Sequence, residues 1–174
     1  MIESEKKYKI IGIIDVASKL GENIFGYNII GTDEDLIRLS AGSANFLITL
    51  GQITSPEIRI KLYNKIKVLG GKFPVIQSPF ARISPHSTIA EGTIIMHNVL
   101  INAGASIGFN CIINSKALIE HDAIIGNHCH ISTGAIINGG VMVGNGSFIG
   151  SGAVTKQNCS IAENSFIKAH SLVK

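Results

Sequence analysis

Between Ile83 and Ile167 an aliphatic residue returns at every sixth position, with Thr155 as the single exception. Four residues after each of these stands a small or compact one, from Ser87, Thr93, Val99 and Ala105 to Ser165 and Ser171. Two interlocked columns of this kind identify a hexapeptide β-solenoid. The period has a physical cause. Six residues make one short strand and a turn, the large apolar side chain fills the interior, and the small one fits the corner where strands converge. Three such units close a triangular coil in a left-handed parallel β-helix, so the repeat predicts about five coils and, with strands stacked at about 4.8 Å, a prism roughly 24 Å tall.

The small-residue column also accounts for the three cysteines. Cys111, Cys129 and Cys159 all fall in it, where a free thiol serves as a compact hydrophobe. Their spacing is neither that of a metal site nor of a disulfide framework. The apolar fraction is 45% and the mean hydropathy +0.34, yet no stretch approaches the ~18 apolar residues of a membrane span. Met1 to Lys9 is charged and lacks the apolar core of a signal peptide. A soluble cytoplasmic protein is expected. The net charge of +3 is mild, and its main cluster, Arg59, Lys61, Lys65 and Lys67, reads as a solvated helix face rather than a nucleic-acid interface.

Residues 1 to about 80 follow another pattern. The β-branched runs Tyr8 to Asp15 and Asn45 to Leu50 read as buried parallel strands. Asp33 to Leu39 reads as a short helix capped by Thr32 or Asp33. Ser55 and Pro56 open a second helix over Glu57 to Leu69, which Gly70 and Gly71 stop. Phe73 to Ile76 reads as a further strand, and Gln77 to Arg82 leads into the solenoid. The expected architecture is a small α/β unit over 1–80 followed by the β-helix over 81–174.

Several segments then resemble one family. They are GIID at Gly12 to Asp15, the Gly26-Tyr27 turn with Ile29 to Gly31, ITLG at Ile48 to Gly51, SPFARIS at Ser78 to Ser84, and above all IEHDAIIGNHCHISTGA at Ile119 to Ala135. Together they resemble the sialic-acid O-acetyltransferases and the bacterial N-acetyltransferases of UDP-linked 4-amino sugars. The resemblance covers nearly the whole chain. Members of that family usually carry an extra strand, a glycine-rich turn with a histidine, and a helix before the strand that here starts at Tyr8. The α/β unit is therefore expected to be an incomplete Rossmann-like one, without the phosphate-cradling turn, through either a natural short form or a truncated start.

The resemblance implies direct transfer of an acetyl group from acetyl-CoA to an amine or hydroxyl of a sugar or nucleotide sugar. A histidine that titrates near neutrality suits the removal of the attacking proton. His121, two positions after Ile119 and so on the outer part of its rung, is the candidate base, with Asp122 orienting it. Asn114 matches a polar residue near the acceptor, and His130 a contact to acetyl-CoA or acceptor. Gly139 matches a glycine whose N–H faces the thioester oxygen, and Ser151 and Ala169 match the walls of the coenzyme groove. Asp15 matches an acidic residue at the nucleotide's uracil or ribose, and Gly51 with Gln52 the following loop. Such enzymes pack as homotrimers with each site shared between two chains, and no metal is implied.

The remaining residues have plainer readings. His86, His97, His128 and His170 read as surface histidines, Glu120 as a support of its rung, and Gly139, Gly140, Gly144 and Gly146 as corner glycines. Two other functions stay open on the residues alone. One is a zinc hydratase resembling γ-class carbonic anhydrases, using His121, His128 and His130. The other is a scaffold paralogue without acceptor binding.

Overall fold

The computed structural model describes residues 1–42 and 44–174. Seventeen two-residue strands follow one another every six residues, from β4 (Ile76–Gln77) to β20 (Leu172–Val173). Each pairs in parallel with the strand eighteen residues away, as in Ile112↔His130 and Leu118↔Ile136. Three flat sheets result. Face 1 holds β4, β7, β10, β13, β16 and β19, face 2 holds the set from β5 to β20, and face 3 the set from β6 to β18. The chain is a left-handed parallel β-helix with a small N-terminal α/β unit.

The interior follows the six-residue columns. Ile95, Ile101, Ile113, Ile119, Ile131 and Ile137 are fully enclosed, and Ala105, Ala123 and Ala135 line the corners between them. Burying one such isoleucine contributes about 1.5–3 kcal/mol. Thr155, the exception in the aliphatic column, is also buried. Its hydroxyl accepts the Asn138 N–H at 2.9 Å and so meets its polar requirement inside the stack. Cys111 and Cys129 are buried free thiols and Cys159 is half-buried, and enclosure pushes the Cys111 thiol up from its usual pKa.

Each corner turns through a left-handed residue. Every sixth position from Gly92 to His170 has positive φ, including Asn110, Asp122 and His128. Gly140 and Gly146 belong to this series, as expected of corner glycines. Gly139 and Gly144 do not. They are glycines because something approaches closely: the His121 ring at Gly139, and the backbone of Ala162 and Glu163 at Gly144.

The N-terminal unit is less regular than the apolar runs suggest. It contains α1 (Ile2–Glu5), β1 (Ile13–Ile14), β2 (Asn23–Ile24), β3 (Tyr27–Gly31), α2 (Leu36–Ser40) and α3 (Glu57–Val68). β1 runs parallel to β3, and β2 returns antiparallel to it through the Phe25-Gly26 turn. Of the strand expected over Tyr8 to Asp15, only Ile13 and Ile14 pair. The run Asn45 to Leu50 forms no ladder beyond a single bridge from Asn45 to Lys72, because the carbonyls of Ile48 and Leu50 are taken by the Arg59 guanidinium at 3.1 and 2.8 Å. The strand expected at Phe73 to Ile76 begins at Ile76 and pairs with Ile94, making it the first rung of the solenoid. α2 starts later than expected, capped at Asp35, whose carboxylate receives the Thr32 N–H at 2.9 Å. α3 ends as expected at Gly70 and Gly71, whose N–H groups close onto Lys67 and Ile66.

This unit lies against face 1. The first four outward positions there, Ile76, Ile94, Ile112 and His130, are buried. Beyond them Phe148 is half-buried and Phe166 exposed, and outward positions on the other faces such as Ile124 and Leu172 stay exposed. α3 clamps the corner between faces 3 and 1. Tyr63 stacks on Phe109 at 4.9 Å, and Arg59 Nη2 donates to the Asn110 carbonyl and side chain at 2.7 and 2.9 Å. Arg59 is thus no member of a solvated helix face. It is 1% exposed and meets no carboxylate, and burial lowers its pKa to about 10. Lys61, Lys65 and Lys67 do face solvent. His128 is likewise no surface residue: it is buried beside Arg59 and Asn110, edge-on to Tyr63 and Phe109. His86 and His170 are exposed as expected, and His97 is half-buried with its Nδ1 2.7 Å from the Ser78 hydroxyl.

Candidate active site

The rung β11 (Leu118–Ile119) lies in the middle of face 2, and the turn that follows carries Glu120, His121 and Asp122 on the corner between faces 2 and 3. His121 is exposed, and its Nδ1 lies 2.9 Å from Asp122 Oδ2. A carboxylate can only accept here, so Nδ1 carries the hydrogen and Nε2 presents a lone pair. Asp122 reaches back to its neighbour because it occupies the left-handed corner position (φ 60°). Its other oxygen lies over Gly104, one coil below, where no side chain competes for the space. Glu120 accepts the Asn102 amide at 2.7 Å, as a support of the rung.

Gly139 stands directly beside the candidate base, one coil above. A Cβ built on it would meet His121 Nε2 at 2.7 Å and Cε1 at 2.8 Å. The glycine therefore creates the opening through which Nε2 is reached. This role came into view only from the structure, although the signal was present as a spacing of eighteen residues.

A second group of candidates lies elsewhere. A cavity of about 390 Å³ runs between the N-terminal unit and face 1, and Gly51, Asn114 and His130 line it together with Thr49, Glu3 and an aliphatic wall of Ile76, Ile94 and Ile112. His130, on β13 (His130–Ile131), is 8% exposed. Its Nδ1 lies 2.6 Å from the Gln52 carbonyl, and its Nε2 3.3 Å from the Asn114 amide nitrogen. Burial pulls its pKa down, the Gln52 bond opposes that and the nearby Arg59 charge reinforces it. Asn114 opens the corner between faces 1 and 2, and Ser151 and Ala169 lie on that same corner. Ser151 exchanges a hydrogen bond with Ser132 at 2.9 Å, while Ala169 is exposed.

Within one chain the candidates thus form two groups, His121, Asp122 and Gly139 at one end of face 2, and Asn114, Ser151 and Ala169 at the other. Asp15 joins neither. Its carboxylate is engaged by the Val16 N–H and by Lys19, which hold its pKa below the ordinary value, and it does not line the cavity. The three histidines of the zinc reading are also parted, with His128 enclosed under α3, His130 in the cavity wall and His121 on the open corner. Among the described residues no group of three or more His, Cys, Asp or Glu side chains is placed to hold a metal.

The sequence matches the family described as bacterial transferase hexapeptide (six repeats) over residues 104–139. The chain resembles the perosamine N-acetyltransferase of Caulobacter crescentus, solved with CoA and GDP-perosamine, at a TM-score of 0.90 and 28% identity over 99% of this chain and 82% of that one. It also resembles the acetyltransferase domain of PglB from Neisseria gonorrhoeae, solved with acetyl coenzyme A, at 0.89 and 26% over 98% of this chain and 83% of that one. These likenesses mark the chain as an acetyltransferase and, with the hexapeptide repeats, support the sugar acyltransferase family. WeeI from Acinetobacter baumannii shares the acyltransferase's fold, with a TM-score of 0.69 and 19% identity over 94% of this chain and 82% of that one. No curated protein matches the sequence. Among the described residues, no helix of this acyltransferase is long and apolar enough to cross a membrane.

Proposed function

We propose that the chain transfers the acetyl group of acetyl-CoA directly to an amine of a nucleotide-linked amino sugar, or to a hydroxyl on such a sugar, with His121 as general base. The observation that carries this is the His121–Asp122 pair beside an open Gly139. The two relatives above 25% identity support the substrate class, one solved with acetyl coenzyme A and the other with CoA and a nucleotide-linked amino sugar. The acceptor's lone pair attacks the thioester carbon, His121 Nε2 takes the proton released, and as the C–S bond breaks the imidazolium returns that proton to the departing sulfur, freeing CoA as its thiol and restoring the neutral base. Asp122 stabilises the imidazolium that forms. Among the described residues no intramolecular acceptor takes the Gly139 N–H, which leaves it free to steady the oxyanion of the tetrahedral intermediate.

The division of candidates between two corners supports a homotrimer. His121 and Asn114 stand at opposite ends of face 2. A site using both therefore takes the His121 corner from one copy and the Asn114 corner from the next. Beyond Arg82 in its first rung, the outward column of face 2, Leu100, Leu118, Ile136, Val154 and Leu172, is apolar and at least partly exposed in the single chain, which suits burial between copies. The cavity at His130 then receives the acceptor sugar, and the groove past Ser151 and Ala169 the coenzyme. We place the reaction in the cytoplasm.

The test is turnover. Acetyl-CoA and a nucleotide-linked 4-amino sugar should release free thiol at a rate that His121→Ala lowers by about 10²–10⁴-fold. Wild-type protein that binds CoA calorimetrically but turns over none of these acceptors would overturn the acceptor class. Absence of CoA binding would replace the enzyme by a scaffold.

A further inference from the structure

His130 is held from both sides by groups whose hydrogen-bonding sense is fixed. On one side the Gln52 carbonyl can only accept, at 2.6 Å from Nδ1. On the other side stands the Asn114 amide, whose orientation is set independently. Its Oδ1 accepts the Ser115 N–H at 2.7 Å, which turns its NH₂ toward His130 Nε2 at 3.3 Å. A hydrogen on Nε2 would face that NH₂ donor, and a second proton on the ring would have no acceptor.

The Gln52 carbonyl is itself held firmly. The Gln52 side chain is 2% exposed and donates to the Gly146 carbonyl of the solenoid at 3.1 Å. Just before it, the carbonyls of Ile48 and Leu50 are gathered by Arg59 Nη1, while Arg59 Nη2 is fastened to Asn110 of the solenoid. One guanidinium thus ties the 48–52 loop and the solenoid corner into a single body. The charged or titratable groups around His130 are Arg59 from α3 and, across the cavity, Glu3 of α1 and the Met1 amino group that precedes that helix. Glu3 is already engaged by the Tyr27 hydroxyl at 2.9 Å.

We infer that Gln52 and Asn114 lock His130 as the neutral Nδ1-protonated tautomer, so that a bound amine or hydroxyl of the acceptor takes the place of the long Asn114 contact, donates its hydrogen to Nε2 and is oriented there without losing its proton to His130. Arg59 is the positioning residue behind the lock. The two histidines then divide the work: His121, exposed and paired with a carboxylate, moves the proton, and His130, enclosed between an acceptor and a donor, aims the nucleophile. The neighbouring Asn114 NH₂ offers a matching donor, so the pair recognises a group that both donates and accepts, as an amine or hydroxyl does. The identity of the bound group rests on the function proposed above; the tautomer does not.

Side-chain ¹H–¹⁵N correlation spectra of the full-length protein, labelled at histidine, test this, with the resonances assigned through His130→Gln. His130 should show a protonated Nδ1 and a bare Nε2, unchanged between about pH 5 and 8 where ordinary histidines titrate. A protonated Nε2, or titration within that range, would overturn the lock. Arg59→Lys and the milder Gln52→Ala, which removes only the anchor to Gly146, should each give mixed tautomers. Each should raise KM for the acceptor about tenfold while KM for acetyl-CoA stays unchanged, the loss of roughly one hydrogen bond. If both variants keep the wild-type tautomer, Arg59 has no positioning role. If the tautomer mixes while the acceptor KM stays fixed, Nε2 does not bind the acceptor. If wild-type protein turns over no amino sugar at all, the function fails while the spectra still decide the tautomer.

Discussion

Replacing Gly139 by alanine separates the geometry of the base from the stability of the fold. The new Cβ would stand 2.7 Å from His121 Nε2 and 2.8 Å from Cε1, against about 3.5 Å for an unstrained contact. The ring is exposed at its outer edge and can give way, so it retreats by about 1 Å rather than distorting the rung. Misplacing a catalytic group by about 1 Å costs about 10²-fold in rate, or about 2.7 kcal/mol of barrier. Stability should change by less than about 1 kcal/mol, because φ at Gly139 lies outside the left-handed region and alanine restricts the unfolded chain slightly. Gly140→Ala is the control. Its φ is +67° and its Cβ would run into Asn158 rather than His121, so it should lower the melting temperature. Initial rates of thiol release and thermal melts on the two variants give the comparison. Activity of Gly139→Ala within threefold of wild type, or loss of activity only in step with unfolding, would refute the idea that this glycine keeps the base accessible.

Asp122→Asn should preserve the fold, since asparagine tolerates the left-handed corner, but should lower kcat by about tenfold or more by removing the charge that stabilises the imidazolium; steady-state kinetics and circular dichroism check both halves. Arg59→Met should destabilise the protein by about 3 kcal/mol in denaturant titrations, because the carbonyls of Ile48, Leu50 and Asn110 lose their donor in a buried setting. Burial lowers the His128 pKa to about 4, with the Arg59 charge adding to the effect, so the folded state binds this proton less readily than the unfolded state does. Stability from this source is full above about pH 6.5 and is lost progressively as the pH falls toward 4, by about 2 kcal/mol after allowing for partial solvation. Melts at pH 7 and 5 should show this loss in wild type and a smaller one in His128→Asn, which keeps a residue suited to positive φ.

The solenoid was legible because its period is local. Each unit repeats the same inward and corner requirements, so Ile119 and Ala123 announce their places without knowledge of anything distant. His121 and Asp122 stand out in the sequence for a related reason, as a charged pair against a repeat of neutral turns, and the structure adds that the two side chains meet on an open corner. The N-terminal unit was read less well. Tyr8 to Asp15 and Asn45 to Leu50 have strand composition, but composition does not say that a guanidinium will claim the carbonyls of Ile48 and Leu50. Arg59 itself looked like one of four clustered cations, and only contact with Asn110, fifty-one residues away, removes it from water. His128 was misread likewise, because face 3 meets face 1 at its corner under a helix that sequence spacing alone does not place there.

The solenoid also has a second period, of eighteen, that decides where a functional side chain fits. A residue in the left-handed corner position folds back over the coil below, and where its side chain needs room a glycine stands eighteen residues earlier. Asp122 lies over Gly104, Asn158 over Gly140, Asn164 over Gly146 and His170 over Gly152. A separate spacing of eighteen, between positions outside that left-handed series, places Gly139 above His121. A base at His121, as proposed above, would therefore depend on two absences of a side chain, at Gly104 so that Asp122 can turn toward the imidazole, and at Gly139 so that the imidazole can be reached. Neither glycine touches the other, and neither is conspicuous among the nineteen in the chain. Their positions follow from the height of one coil, which makes the vertical column, rather than the run of residues around His121, the unit in which this site is built.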